Sequence, residues 1–199
     1  MSPNTAHTAA APHEHHGRLL EGMARAVAVR GYADTTIADI VREASVSRRS
    51  FYEHFATKAE CLIALYEAAS QQALQVLSDE VDPAQPWQTQ VERTVTCYLE
   101  FLSQDLVLLR TLFVEILGLG LPGLAVRRRA NEAIAEFVRS STGAQLSPEM
   151  AMTVVGGINE LILQAIEQER SGDLRLLAGP ATRLILAVAD ADRSRLPGP

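Results

Sequence analysis

Hydrophobic residues in this chain fall on helical spacing almost from end to end. Between Arg18 and Arg30, Leu19, Leu20, Met23, Ala24, Val27 and Ala28 recur every three to four positions, as one buried helix face requires. Gly31 can end that helix because it tolerates positive φ. Thr36 then precedes Ile37, Ile40, Val41 and Ala44, with Asp39 three residues after it, a capping box in which Asp replaces the usual Glu or Gln. A helix of about two turns ending near Ala44 is expected. Ser45 and Val46 make a tight link, Ser47 caps a third helix over Arg48–Phe55, and Thr57 caps a longer one from Lys58 to about Leu77. Asp82-Pro83-Ala84-Gln85-Pro86 breaks it.

The same periodicity predicts helices over Trp87–Ser103, Leu106–Leu117, Gly123–Ser141, Pro148–Arg170 and Pro180–Ala191, and no strand. Residues 1–16 lack any period and read as a disordered arm. The expected fold is all-α. A compact helical head spans residues 17–64, and a helical second domain spans residues 65–199.

Composition agrees. Of 199 residues 47% are hydrophobic and 21% charged, which suits a globular chain rather than a disordered one. The net charge of −6 argues against nucleic acid only until its distribution is seen. From Gly17 to Tyr66 seven basic residues face six acidic ones, so the excess acid lies outside the head. Cys61 and Cys97 form no C-x-x-C and lack neighbours at metal-ligand spacing, so they read as small buried hydrophobes. His13, His15 and His16 read as solvated polar residues of the arm, and neither metal nor cofactor is implied. No apolar stretch approaches the roughly 18 residues of a membrane span, and no secretory signal begins the chain. A cytoplasmic protein is expected. No nucleophile–base pair, paired carboxylates or Gly-rich phosphate loop points to an enzyme.

The third predicted helix carries the most informative chemistry. Phe51 and Phe55, four apart, share one face, and Val46 can pack just before them. The opposite face then holds Arg49, Tyr52 and Glu53, with Arg48 and Ser50 at its margins. Arg can bond a guanine edge bidentately, while Ser and Tyr can reach bases or phosphates. The helix starts after Thr36 and at Lys58, the single lysine of the chain, offer amide donors to phosphate.

The segment Gly31-Tyr32-Ala33-Asp34-Thr35-Thr36-Ile37-Ala38-Asp39-Ile40-Val41-Arg42-Glu43-Ala44 resembles the second-helix signature of TetR-family repressors. Val46-Ser47-Arg48-Arg49-Ser50-Phe51-Tyr52-Glu53-His54-Phe55, then Thr57-Lys58-Ala59-Glu60, is similar to that family's third helix and fourth-helix start. The family often has Gly where this chain has Ser45. The resemblance implies a helix-turn-helix head on a dimerising, effector-binding helical domain. It also implies a homodimer that binds a palindromic double-stranded DNA operator and releases it when a small molecule binds. By position, Thr36, Tyr52 and Lys58 would contact phosphate, while Ser47, Arg48, Arg49, Ser50 and His54 would lie near bases or backbone.

In the second domain, Pro148–Arg170 is apolar on nearly every side, and the last helix repeats this with Leu184, Ile185, Leu186 and Val188. Two such helices from each chain would make a four-helix dimer interface; a single large monomer core is the alternative. Gly156-Gly157 would permit a close helix approach, room for a ligand or a bend. Asn159 would anchor a ligand or tie helices together. The effector pocket is expected among helices bearing Tyr98, Phe101, Arg110, Phe113, Glu115 and Leu117, with an apolar effector. The run Arg127-Arg128-Arg129 reads as a solvated face.

Overall fold

The computed structural model describes residues 10–82, 84–141 and 146–193. Nine α-helices follow one another in the described residues, with no strand among them: α1 (Ala10–Asp34), α2 (Ile37–Ala44), α3 (Arg48–His54), α4 (Lys58–Asp79), α5 (Trp87–Gln104), α6 (Leu106–Phe113), α7 (Leu121–Ser141), α8 (Pro148–Glu167) and α9 (Ala178–Arg193). Two 3-10 turns, Glu115–Leu119 and Ser171–Leu177, precede α7 and α9.

The first helix begins earlier than its apolar stripe. Residues 10–16, expected to be an unstructured arm, are helical and continue α1; residues 1–9 lie outside the described part. Helical backbone does not require a stripe when a packed helix simply extends outward. Gly31 breaks α1, with φ 73° and ψ 163°, a conformation costly for a residue with a Cβ. Gly22 fixes how α1 meets α2. A Cβ there would lie 2.7 Å from the Ile40 carbonyl oxygen and 2.8 Å from Ala44 Cβ.

α4 joins head to body. Its buried stripe, Cys61, Leu62, Tyr66, Ala69, Ala73 and Leu77, keeps the three-to-four spacing throughout. The boundary expected at residue 64 therefore falls inside a continuous helix, and one core runs from Leu19 and Phe51 in the head to Leu99 and Ile162 in the body. Each fully buried Leu or Phe in such a core contributes about 1.5–3 kcal/mol.

The body departs from its expected boundaries where helices approach closely. α6 stops at Phe113 rather than Leu117, the chain tightens into a 3-10 turn, and Gly120 reverses it at φ 63°. α7 then starts at Leu121, two residues before Gly123, whose missing Cβ would collide with the Ile116 carbonyl. α8 ends at Glu167 rather than Arg170 because Glu169 turns to φ 56°.

α8 is less uniformly buried than its composition suggests. Val154, Val155, Asn159 and Ile162 face inward, while Met152, Leu161, Leu163 and Ile166 are half-covered. α9 likewise buries Ala181, Ile185 and Ala189 and leaves Leu184, Leu186 and Val188 half-covered. The Gly pair resolves into two roles: a Cβ on Gly157 would stand 3.1 Å from Leu184 Cδ2, so it permits close approach of α9, whereas Gly156 faces open space. No described helix is long and apolar enough to cross a membrane.

Candidate nucleic-acid interface and ligand cavity

The turn between α2 and α3 is built from local hydrogen bonds. Thr36 caps α2 by accepting from the Asp39 amide, and Asp39 returns by accepting from the Thr36 amide at 3.0 Å and its hydroxyl at 2.6 Å. Those bonds from Thr36, then the Arg42 guanidinium 2.8 Å away, hold the Asp39 carboxyl at about 2, well below the usual carboxylate range. Ser45 closes α2 in the left-handed region, φ 52°. Ser47 then caps α3 by accepting from the Ser50 amide at 3.0 Å, with the two hydroxyls 2.9 Å apart.

Both phenylalanines anchor α3. Phe51 is 0% and Phe55 6% exposed, with ring centroids 5.8 Å apart. Anchoring turns Arg48, Arg49, Tyr52 and Glu53 to the surface. Tyr52 is 52% exposed, and Arg49, its side chain 89% exposed, rests against Glu53 at 3.1 Å. That exposed pair is worth little and is easily exchanged for a stronger acceptor. Arg48 has no partner among the described residues.

Two expected DNA contacts sit elsewhere. His54 does not share the outward face: one position short of Phe55, it is half-buried, its ring 5.8 Å from His16 of α1. Lys58 is not a free cation. Its Nζ donates to the carbonyls of Tyr32 at 3.0 Å, Ala33 at 3.1 Å and Thr35 at 2.8 Å, and stands 4.5 Å from the Tyr32 ring centre. An ammonium has three donors, and all three are used to hold the α1–α2 turn. Thr36 sits at that turn, its hydroxyl engaged in the capping box.

Several head arginines also serve the scaffold. Arg18 donates to the carbonyls of Ala44 at 3.0 Å and Ser45 at 2.6 Å, and Arg25 to that of Glu43 at 2.7 Å, capping the C-terminal end of α2. Sequence offers the rule that cations suit helix C-termini, but not that Arg18 meets a carbonyl 26 residues away.

In the body, a cleft of about 70 Å³ lies between α5, α7 and α8, extending to Leu77 of α4 and Ile185 of α9. Aliphatic side chains dominate its wall, and the polar groups are Gln90, Thr94, Tyr98, Ser141 and Asn159. A smaller recess of about 20 Å³ shares Tyr98, Ile134 and Asn159 with it and adds Phe113, Asn131 and Arg127. Asn159 donates to Asn131 Oδ1 at 3.2 Å, so it ties α8 to α7 while lining the cavity. Burial pushes the Tyr98 hydroxyl pKa up, so it stays neutral. Tyr98 and Asn159 line both the cleft and the recess and Phe113 only the recess, whereas Phe101, Arg110 and Glu115 line neither. Arg110 and Glu115 face α1 instead, beside Val27 and Ala28. α6, which carries Arg110, ends at Phe113, and Glu115 beyond it turns toward the head. Cys61 is buried, its thiol pushed up to about 12, and both cysteines are free.

An all-helical chain whose helix-turn-helix presents arginines outward, above a body with an apolar cavity, has the form of a DNA-binding regulator. Residues 19–65 match the family model described as "Bacterial regulatory proteins, tetR family". The chain is similar to that family over its head, from α1 to the first turns of α4, and the match does not reach the body. Its fold is that of solved TetR-type structures. The fatty acid degradation regulator FadR from Bacillus halodurans is 18% identical with a TM-score of 0.73, covering 86% of this chain and 94% of its own. FadR from Bacillus subtilis, solved with stearoyl-CoA, is 15% identical with a TM-score of 0.75, covering 86% and 98%. The multidrug binding protein EbrR, complexed with imidazole, is 22% identical with a TM-score of 0.65, covering 85% and 93%. No curated protein sequence matches the chain.

Proposed function

We propose that the chain is a repressor that binds a palindromic operator as a homodimer and releases it when a small apolar molecule enters the cavity of the body. The observation that carries the DNA half is α3: two buried phenylalanines fix it while Arg48, Arg49 and Tyr52 face solvent. Arg48 and Arg49 read base edges. Tyr52 and the amide groups at the starts of α2 and α4 hold phosphate, with Ser47 and Ser50 at the α3 start beside them. Lys58 shapes that surface from behind, and His54 buttresses α3 against α1.

Dimerisation through α8 and α9 would cover Met152, Leu163, Leu184 and Val188, which one chain leaves half-exposed. Ligand release is supported by the apolar wall of the cleft and by the small molecules named with the B. subtilis FadR and EbrR structures. At about 70 Å³ the cleft is far below the roughly 300 Å³ of an ordinary ligand pocket, so an effector has to spread α5, α7 and α8 apart. Because successive major grooves lie about 34–36 Å apart, a shift of several ångströms between paired heads abolishes simultaneous docking.

Fluorescence anisotropy of DNA from the gene's own upstream region tests this. Sequence-selective binding that weakens steeply with salt is expected, and equal binding to unrelated DNA contradicts it.

A further inference from the structure

We propose that Glu115 is the positioning residue that carries the state of the cavity to the DNA-binding turn; this rests on the effector-controlled release proposed above. Glu115 lies on the 3-10 turn between α6 and α7, with its side chain 11% exposed. Its Oε2 accepts the Tyr32 amide at 2.8 Å, across 83 residues of sequence, and its Oε1 faces Arg110 at 3.4 Å. Tyr32 directly follows the break at Gly31, where the helix no longer supplies an acceptor for this amide. The peptide units of Tyr32 are held from two sides. The N–H is held by Glu115 from the body, and the C=O by Lys58 from α4. Four residues after Tyr32 comes Thr36, the cap of α2.

The route from cavity to Glu115 is mechanical. Ile134, Phe137 and Val138 of α7 line the cleft, and an effector too large for it displaces that helix. The first turn of α7 cannot slide independently of the 3-10 turn, because Gly123 sits against the Ile116 backbone with no room for even a Cβ. Ile116 is the residue after Glu115, fully buried. A shift of α7 is therefore a shift of the Glu115 carboxylate. A hydrogen bond weakens steeply once it leaves its preferred geometry, so a small displacement releases Tyr32 and, with it, the turn that sets α2. Glu115 lines neither the cleft nor its smaller recess and lies off the outward face of α3; it borders a separate recess beside Val27, Ala28 and Arg110, between body and head.

The test is the coupling between the two sites, read with the neutral apolar fluorophore N-phenyl-1-naphthylamine as cavity probe and upstream DNA as the second ligand. Linkage makes the ratio of probe affinities without and with saturating DNA a direct measure of coupling. For the parent a ratio of about fivefold or more is expected. Glu115→Asp keeps the charge but withdraws the oxygen by one methylene, and Glu115→Ala removes it. Each is expected to bring the ratio to within about twofold of unity, with probe affinity of the DNA-free protein no weaker than the parent's because the probe no longer has to break the Tyr32 bond. Glu115→Gln keeps an acceptor for the Tyr32 amide and is expected to keep the coupling. Faster hydrogen exchange of the Tyr32 amide should accompany the loss in Glu115→Asp, which decides the matter if Glu115→Ala does not fold. Parental coupling in Glu115→Asp, or a matching loss in Glu115→Gln, overturns the role of Glu115 alone. A parent that does not bind the probe, or binds it indifferently to DNA, contradicts the cavity reading itself and takes this inference with it.

Discussion

Asp39 shows how much a single local contact can do. Its carboxylate closes the capping box with Thr36 and receives Arg42, and these bonds depress its pKa to about 2 against roughly 3.9 in an unfolded chain. A depressed acid stabilises the fold above its unfolded value, and that contribution disappears as pH falls from about 4 toward 2. Asp39→Asn should therefore flatten the fall of Tm with pH in that window and leave its shape above pH 5 unchanged. Lys58 is the opposite case, a long-range tie. Losing three hydrogen bonds from a charged donor, Lys58→Ala should lower stability by about 1–3 kcal/mol in urea unfolding and weaken binding to all DNA sequences alike. A variant of parental stability would show that the carbonyl cage is dispensable. The contrast explains what was legible in the sequence. Thr36 with Asp39, and Phe51 with Phe55, act over three or four residues, so their partners could be named from spacing. The backbone partners of Lys58, Arg18 and Glu115 lie 23 to 83 residues away, and no local pattern encodes them. For that reason the sequence alone points Lys58 at phosphate and Glu115 at the pocket.

Elements were read well wherever a side chain itself sets the boundary. Thr36, Ser47, Thr57 and the Ser147-Pro148 start act at the expected helix ends, while Gly31 breaks α1 three residues before its end at Asp34. Boundaries fixed by neighbours leave no local mark in the sequence. α6 stops at Phe113 because α7 comes down on Ile116, and α1 reaches back to Ala10 without an apolar stripe to announce it. One element end carries a measurable strain. Ser45 adopts φ 52° at the C-terminal end of α2, where a left-handed conformation costs a non-glycine residue roughly 1–2 kcal/mol. Glycine avoids that cost but loses about 0.5–1 kcal/mol more chain entropy on folding. Ser45→Gly should thus raise stability by about 0.5–1 kcal/mol with DNA affinity intact, since the bond from Arg18 is to the Ser45 carbonyl. A destabilised variant would mean that the hydroxyl, not the turn, matters there.

For the whole molecule, the proposed binding of DNA by an acidic chain is reasonable because its charges are spent unevenly. In the head, Arg18, Arg25, Arg30, Arg42 and Lys58 are engaged by backbone carbonyls or by acids of the head itself. Arg48 and Arg49 remain on the open face of α3, Arg49 held only by an exposed pair with Glu53. On the proposed reading, recognition depends on few side chains, and the body contributes geometry rather than charge. Continuous packing along α4 joins head and body in one core, the path by which the proposed effector would move the heads.

The most direct test is operator affinity of Arg49→Ala, measured by anisotropy on upstream DNA and on a scrambled duplex. A loss of about 1–3 kcal/mol on the specific duplex, little change on the scrambled one and parental thermal stability are the expected result. Unchanged affinity and unchanged sequence preference would contradict the account, since the outward face of α3 would then not be what reads the DNA.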